Sequence, residues 1–228
     1  QNYIDIARFQ YSTTPLNRFE NSSSSTRLKE LGLDVTLPIV INSSDAFLTG
    51  LICERMQTKL FEGGPIETFS SVGVRIGLSK KYSERWSGTY LLIPKLASDF
   101  SNVTRRDAQT GAIAMMKYTR SENLNYKFGM YYNSELFGPF VVPLFGFYRL
   151  SADKKFEANL TLPFMVDLNY RLHNRLNIGV NFLGQVRSYH LGNVEVTNSG
   201  GYVVKTTNDI FGYLKFNLSK GLSIQTKV

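Results

Sequence analysis

The sequence predicts an all-β chain folded as a transmembrane antiparallel up-and-down β-barrel of about 12–14 strands. Three observations carry that expectation. Apolar residues recur with period two over segments roughly twice as long as the ~5–6 residues of an ordinary soluble strand. Short and long polar connections alternate along the chain. Aromatic side chains collect near segment ends, with Tyr82 and Trp86 beside one short turn and Tyr118 and Tyr126 flanking another, as the two faces of a bilayer select.

The segments justify this in order. In residues 28–41 one parity holds Leu31, Leu33, Val35, Leu37, Ile39 and Ile41, and the other Glu30, Gly32, Asp34 and Thr36. In residues 68–80, Val72, Val74, Ile76 and Leu78 oppose Ser71, Gly73, Arg75, Gly77 and Ser79. In residues 124–136, Tyr126, Phe128, Met130 and Tyr132 oppose Asn125, Lys127, Tyr131, Asn133 and Glu135. In residues 156–171, Leu160, Leu162, Phe164, Val166 and Leu168 oppose Glu157, Asn159, Asp167 and Arg171. The segments starting at Asn177 and Thr207 behave likewise, while 46–60 and 109–119 alternate poorly. The turns SADK and LHNR lie too close for two full-length strands, so the segment between them is either one long strand or, with both turns on the periplasmic side, the preferred short hairpin turning near Pro163.

A soluble sandwich or lipocalin-like barrel would also alternate. The polar parity argues against it, because Gly, Ser, Thr and Asn mixed with charges of both signs suit an enclosed lumen better than a freely solvated face. Hydrocarbon offers no hydrogen-bond partner, so a sheet placed in it must close. The apolar parity then meets lipid through Val35, Leu37, Val74, Ile76, Tyr126, Phe128, Met130, Leu160, Phe164, Leu214 and Phe216. The lumen is lined by Glu30, Asp34, Arg75, Lys127, Glu157, Asp167, Arg171, Arg187, Asp209 and Lys215, with Tyr131, Phe211 and Tyr213 also projecting inward.

Composition narrows the chemistry. The 228 residues suit one β domain, and no apolar run reaches the roughly 18 residues of a membrane helix. The chain opens on Gln1, as expected after removal of a signal peptide or after trimming. One cysteine, Cys53, and two histidines leave no disulfide framework and no basis for a structural zinc site, and no cofactor is expected. The net charge of +8 is spread over loops, turns and lumen, without the basic stripe and stacking aromatics of a nucleic-acid surface. Arg18, Arg27, Arg105 and Arg106, in the long loops, are placed to meet lipopolysaccharide phosphates.

Catalytic candidates are sparse. Ser188 and His190 sit two apart on one strand face, with Glu195 and Asp209 as carboxylates that could complete a hydrolase triad. No nucleophile motif surrounds Ser188, so a polar rim is the plainer reading, and His173 falls in a solvated turn.

The stretches TYLLIPKLASDF, LNYKFGMYYNSELFGPFVVPLFGFYRLS and QVRSYHL resemble a family of outer-membrane barrels of the Bacteroidota defined as a domain of unknown function. The resemblance covers nearly the whole chain. It implies a barrel in the outer membrane of a Gram-negative cell and brings no catalytic or binding residues with it. Such barrels usually end on an aromatic residue, whereas GLSIQTKV ends on Val228, so the natural chain is expected to continue.

Three functions follow as expectations: a narrow passive channel for small solutes; a non-conducting accessory or structural subunit of a larger outer-membrane complex serving protein export or barrel assembly; and, third, a lipid hydrolase. The partners expected are outer-membrane lipid, lipopolysaccharide and other outer-membrane proteins.

Overall fold

The computed structural model describes residues 6–192, 201–219 and 221–228. Its strands are β1 (Ala7–Thr13), β2 (Asn17–Arg18), β3 (Ser25–Thr26), β4 (Lys29–Val40), β5 (Asp45–Thr58), β6 (Glu67–Lys81), β7 (Trp86–Ser98), β8 (Ala108–Ser121), β9 (Leu124–Glu135), β10 (Gly138–Leu150), β11 (Phe156–Leu162), β12 (Met165–His173), β13 (Leu176–His190), β14 (Tyr202–Asn217) and β15 (Ser223–Lys227). Apart from the small β2–β3 pair, they form one thirteen-stranded sheet in chain order. Among the described residues the single helical segment is a 3-10 turn, Arg105–Asp107, and no helix is long and apolar enough to cross a membrane.

Local chemistry sets the connections. Between β4 and β5 the Asn42 side-chain oxygen accepts the N–H groups of Ser44 and Asp45, both at 2.8 Å, so the side chain closes the turn in place of backbone. Ser83 does the same between β6 and β7, its hydroxyl accepting from Trp86 N–H at 3.1 Å. The connections after β4, β6, β8, β10, β12 and β14 share one end of the barrel, the turn end. The opposite end carries the long segments 59–66 and 99–107 and is called the loop end.

The expected hairpin at Pro163 is present: β11 and β12 pair with Thr161 opposite Met165. Phe164 is a correction. Strand parity put it outside with Leu160, but the turn at 163–164 interrupts the alternation, and its ring stacks edge-on 5.2 Å from Tyr131, whose parity is inward. The other residues expected on the outer face do lie on the outward parity, and Leu37, Val74, Ile76, Tyr126, Phe128, Met130, Leu214 and Phe216 are exposed. Further exposed apolar side chains continue the belt, including Phe145 at 62% and Ile210 at 72%.

The sheet also closes in an unexpected place. The strand count falls in the expected range, yet hydrogen bonding does not join β1 to β15 among the described residues. Instead β13 makes a parallel contact with β7 at His190 and Ser98, and β7 to β13 become a closed seven-stranded barrel. The cause is the short hairpin. β12 begins at Met165, opposite Leu183, so β13 beyond that point has no β12 partner. Its last residues run across to β7, where the Asp99 N–H donates to the His190 carbonyl at 3.1 Å.

Candidate functional site

The end of β13 is where both parities of one strand are buried. Ser188 and Tyr189 are almost wholly enclosed, and His190 is 6% exposed. Successive strand residues point to opposite faces, so Arg187 and Tyr189 enter one compartment, and Ser188 and His190 the other. β13 thus divides the loop end of the interior.

The first compartment is apolar at its centre. Tyr189 packs with Met56, Phe69 and Ala97, and its ring centroid lies 5.7 Å from that of Phe69. Leu28, Leu60, Leu191 and Val203 cover the cluster. Burying large side chains of this kind stabilises by about 1.5–3 kcal/mol each. Below the cluster Arg187 pairs with Glu54 at 2.6 Å and Glu30 at 3.9 Å, and Lys205 reaches Glu30 at 2.5 Å. These charges tie β13 and β14 to β4 and β5.

The second compartment is polar. Glu135 Oε2 accepts the Ser188 N–H at 2.6 Å and the Ser188 hydroxyl; Oε1 accepts from Lys95 at 3.0 Å and Asn133 at 2.5 Å. The Ser188 hydroxyl in turn accepts from Leu136 N–H at 2.8 Å and Gln109 Nε2 at 3.3 Å. His190 Nδ1 lies 2.6 Å from Asp107 Oδ1; a carboxylate only accepts, so Nδ1 carries the proton. The other oxygen, Asp107 Oδ2, accepts Thr104 N–H at 2.8 Å and closes the capping box of the 3-10 turn. One buried carboxylate therefore joins the 99–107 loop to the end of β13.

This geometry separates Ser188 from His190. Among the described residues no hydrogen bond joins them, and each is held by its own acid, Glu135 or Asp107. Glu195 lies outside the described residues, and Asp209 sits on β14 opposite Leu183. His173 ends β12 and is exposed.

The expected lumen residues all fall on inward parity. Asp34 pairs with Arg75 at 3.0 Å and Arg8 at 3.5 Å; Lys127 donates to Asn159 at 2.6 Å; Asp167 accepts the Tyr213 hydroxyl at 2.9 Å. Glu157, Asp209 and Lys215 face inward, and Arg171 lies exposed at the turn-end rim. Arg18, Arg27, Arg105 and Arg106 belong to the loop end, apart from the buried network, and all four are exposed.

Sequence reasoning missed Lys95, Asp107, Gln109 and Glu135. Glu135 stood on the polar parity of its strand, but its contact with Ser188 spans 53 residues. Among the described residues no group of His, Cys, Asp and Glu has the arrangement of a metal site.

Residues 54–228 match the family described as a domain of unknown function, DUF6268, and the chain belongs to that family. No curated protein and no solved structure gives a significant match.

Proposed function

We propose that this DUF6268 member is an outer-membrane β-barrel that works through its outer wall and rims, as a non-conducting accessory or structural subunit of a larger outer-membrane assembly. The supporting observation is the passage of β13 through the loop end of the interior, with Tyr189 packed on one side and Glu135 and Asp107 engaged on the other. A route for solute there would require breaking a buried core and a buried ion network together. The exposed apolar belt supports the membrane setting, since an exposed surface of that extent in water marks an interaction site or an aggregation hazard.

A channel remains the second reading. It draws on the hydrophilic interior below the β13 crossing, where Lys127, Asn159, Asp167 and Arg75 face inward. The enzyme reading is weaker, because the Ser188 hydroxyl gives its proton to a carboxylate with no imidazole on it.

The experiment is a tagged chain extracted from its native envelope in mild detergent, followed by native mass spectrometry. Co-purification with a fixed stoichiometry of other envelope proteins is the expected result. A lone monomer under every extraction condition contradicts the subunit role.

A further inference from the structure

We propose that the turn end of the barrel is a binding surface for anionic phospholipid headgroups, an inference that rests on the membrane setting proposed above. Its basis is the set of exposed cations at that end and the aromatic band beside them. Inside the loop end the cations are paired, Lys95 with Glu135, Arg187 with Glu54 and Lys205 with Glu30, while Arg18, Arg27, Arg105 and Arg106 are exposed around it. At the turn end Lys80, Arg85, Arg120, Arg149, Lys154 and Arg175 are exposed, and among the described residues none is in a salt bridge. They are spread over four successive hairpins, β6–β7, β8–β9, β10–β11 and β12–β13. The acids nearby are fewer, and one of them, Asp153, is already engaged by the Ser151 hydroxyl at 2.5 Å and Lys155 N–H at 3.1 Å.

The occupant follows from what lies next to these cations. Trp86, Tyr118 and Tyr126 stand in line on three adjacent strands, and the Trp86 and Tyr118 rings are 5.0 Å apart. Phe128 meets the same tryptophan at 5.8 Å. Lys80 Nζ sits 5.8 Å from the Tyr82 ring centre. Apolar belt, aromatic band and cations therefore follow one another along the outer wall, and a bilayer that covers the first two puts the third among its phosphates. Each Lys or Arg near an anionic leaflet adds to the attraction, and salt attenuates it. An acidic protein would need the cations but not the aromatic band beneath them.

Trp86 is the sole tryptophan and lies on this rim, so it reports directly. The full chain is refolded into phosphatidylcholine vesicles containing an equal mole fraction of either brominated phosphatidylglycerol or brominated phosphatidylcholine. The expected result is quenching of Trp86 about twofold stronger by the anionic lipid, a preference that high salt removes. The Lys80→Gln/Arg120→Gln/Arg149→Gln variant should keep its quenching by brominated phosphatidylcholine, which shows that it inserts, and lose the preference. Equal quenching of the wild type by both lipids, or a preference that persists in the variant, overturns the proposal and leaves the cations to a protein partner. Absence of quenching by either lipid overturns the membrane setting itself.

Discussion

The backbone N–H of Ser188 donates to Glu135 Oε2 at 2.6 Å across the barrel interior, joining β13 to β9 although neither strand is the other's neighbour in the sheet. Glu135 is fully buried and also neutralises Lys95. Its replacement by alanine leaves a buried ammonium and a buried N–H without their acceptor, at a cost of about 3–5 kcal/mol. Glu135→Gln keeps one acceptor and loses the charge, so its loss should be smaller. Urea unfolding of the detergent-refolded variants, followed by the gel shift between folded and unfolded forms, measures both, and equal stability of the wild type and Glu135→Ala would show that the bonds of Glu135 to Ser188 and Lys95 contribute nothing.

Ser188 is structural in this account. Ser188→Ala removes the acceptor of the Leu136 N–H and should cost about 1–2 kcal/mol. The wild type should give no covalent adduct with a fluorophosphonate, because no imidazole stands ready to take the serine proton. A stoichiometric adduct lost in both Ser188→Ala and His190→Ala would restore the hydrolase reading.

Gly179 lies under the Tyr213 ring: a Cβ there would stand 2.3 Å from the tyrosine Cζ. Gly179→Ala must therefore displace the ring and its hydroxyl bond to Asp167 and also shift the Leu168 carbonyl oxygen, 2.4 Å from the same Cβ, with an expected loss at the upper end of about 1–3 kcal/mol. Tyr213→Ala combined with Gly179→Ala should cost less than the sum of the two single changes, a coupling that a double-mutant cycle in urea reads directly.

Acid should loosen one loop contact. Glu62 accepts the hydroxyls of Ser22, at 2.7 Å, and Ser24, and these bonds hold its carboxyl below the usual glutamate range. A lowered folded value means that the contribution is present above the unfolded pKa, near 4.3 for glutamate, and is lost as pH falls through the folded value. Hydrogen exchange across residues 19–24 should accelerate below that range in the wild type, whereas Glu62→Gln should show the faster exchange already at neutral pH. A wild-type rate that ignores this protonation would remove the clasp from the account.

Much of the wall was legible because one side of a strand met one environment. In residues 71–79 and 124–133 the alternation holds, and the register follows it. β5 resisted the same reading for a physical reason: its inward residues Leu48 and Met56 are themselves apolar and buried, so the two parities look alike. β8 is similar, with Gly111, Ile113 and Met115 facing inward. The β13 crossing could not be read at all. Alternation assumes two distinct faces, whereas Arg187, Ser188, Tyr189 and His190 all lie in the interior. Their partners, Glu54, Glu135 and Asp107, are distant in sequence and announced by no motif. The Pro163 turn was legible from spacing, yet Phe164 shows that parity does not survive a turn.

Planar-bilayer recording tests the central claim, that β13 closes the interior, most directly. The account predicts that the reconstituted wild-type protein, with insertion verified independently by quenching of Trp86, gives no discrete current steps at any voltage that the bilayer withstands. Regular unitary steps from the wild type would contradict it and make the barrel a channel.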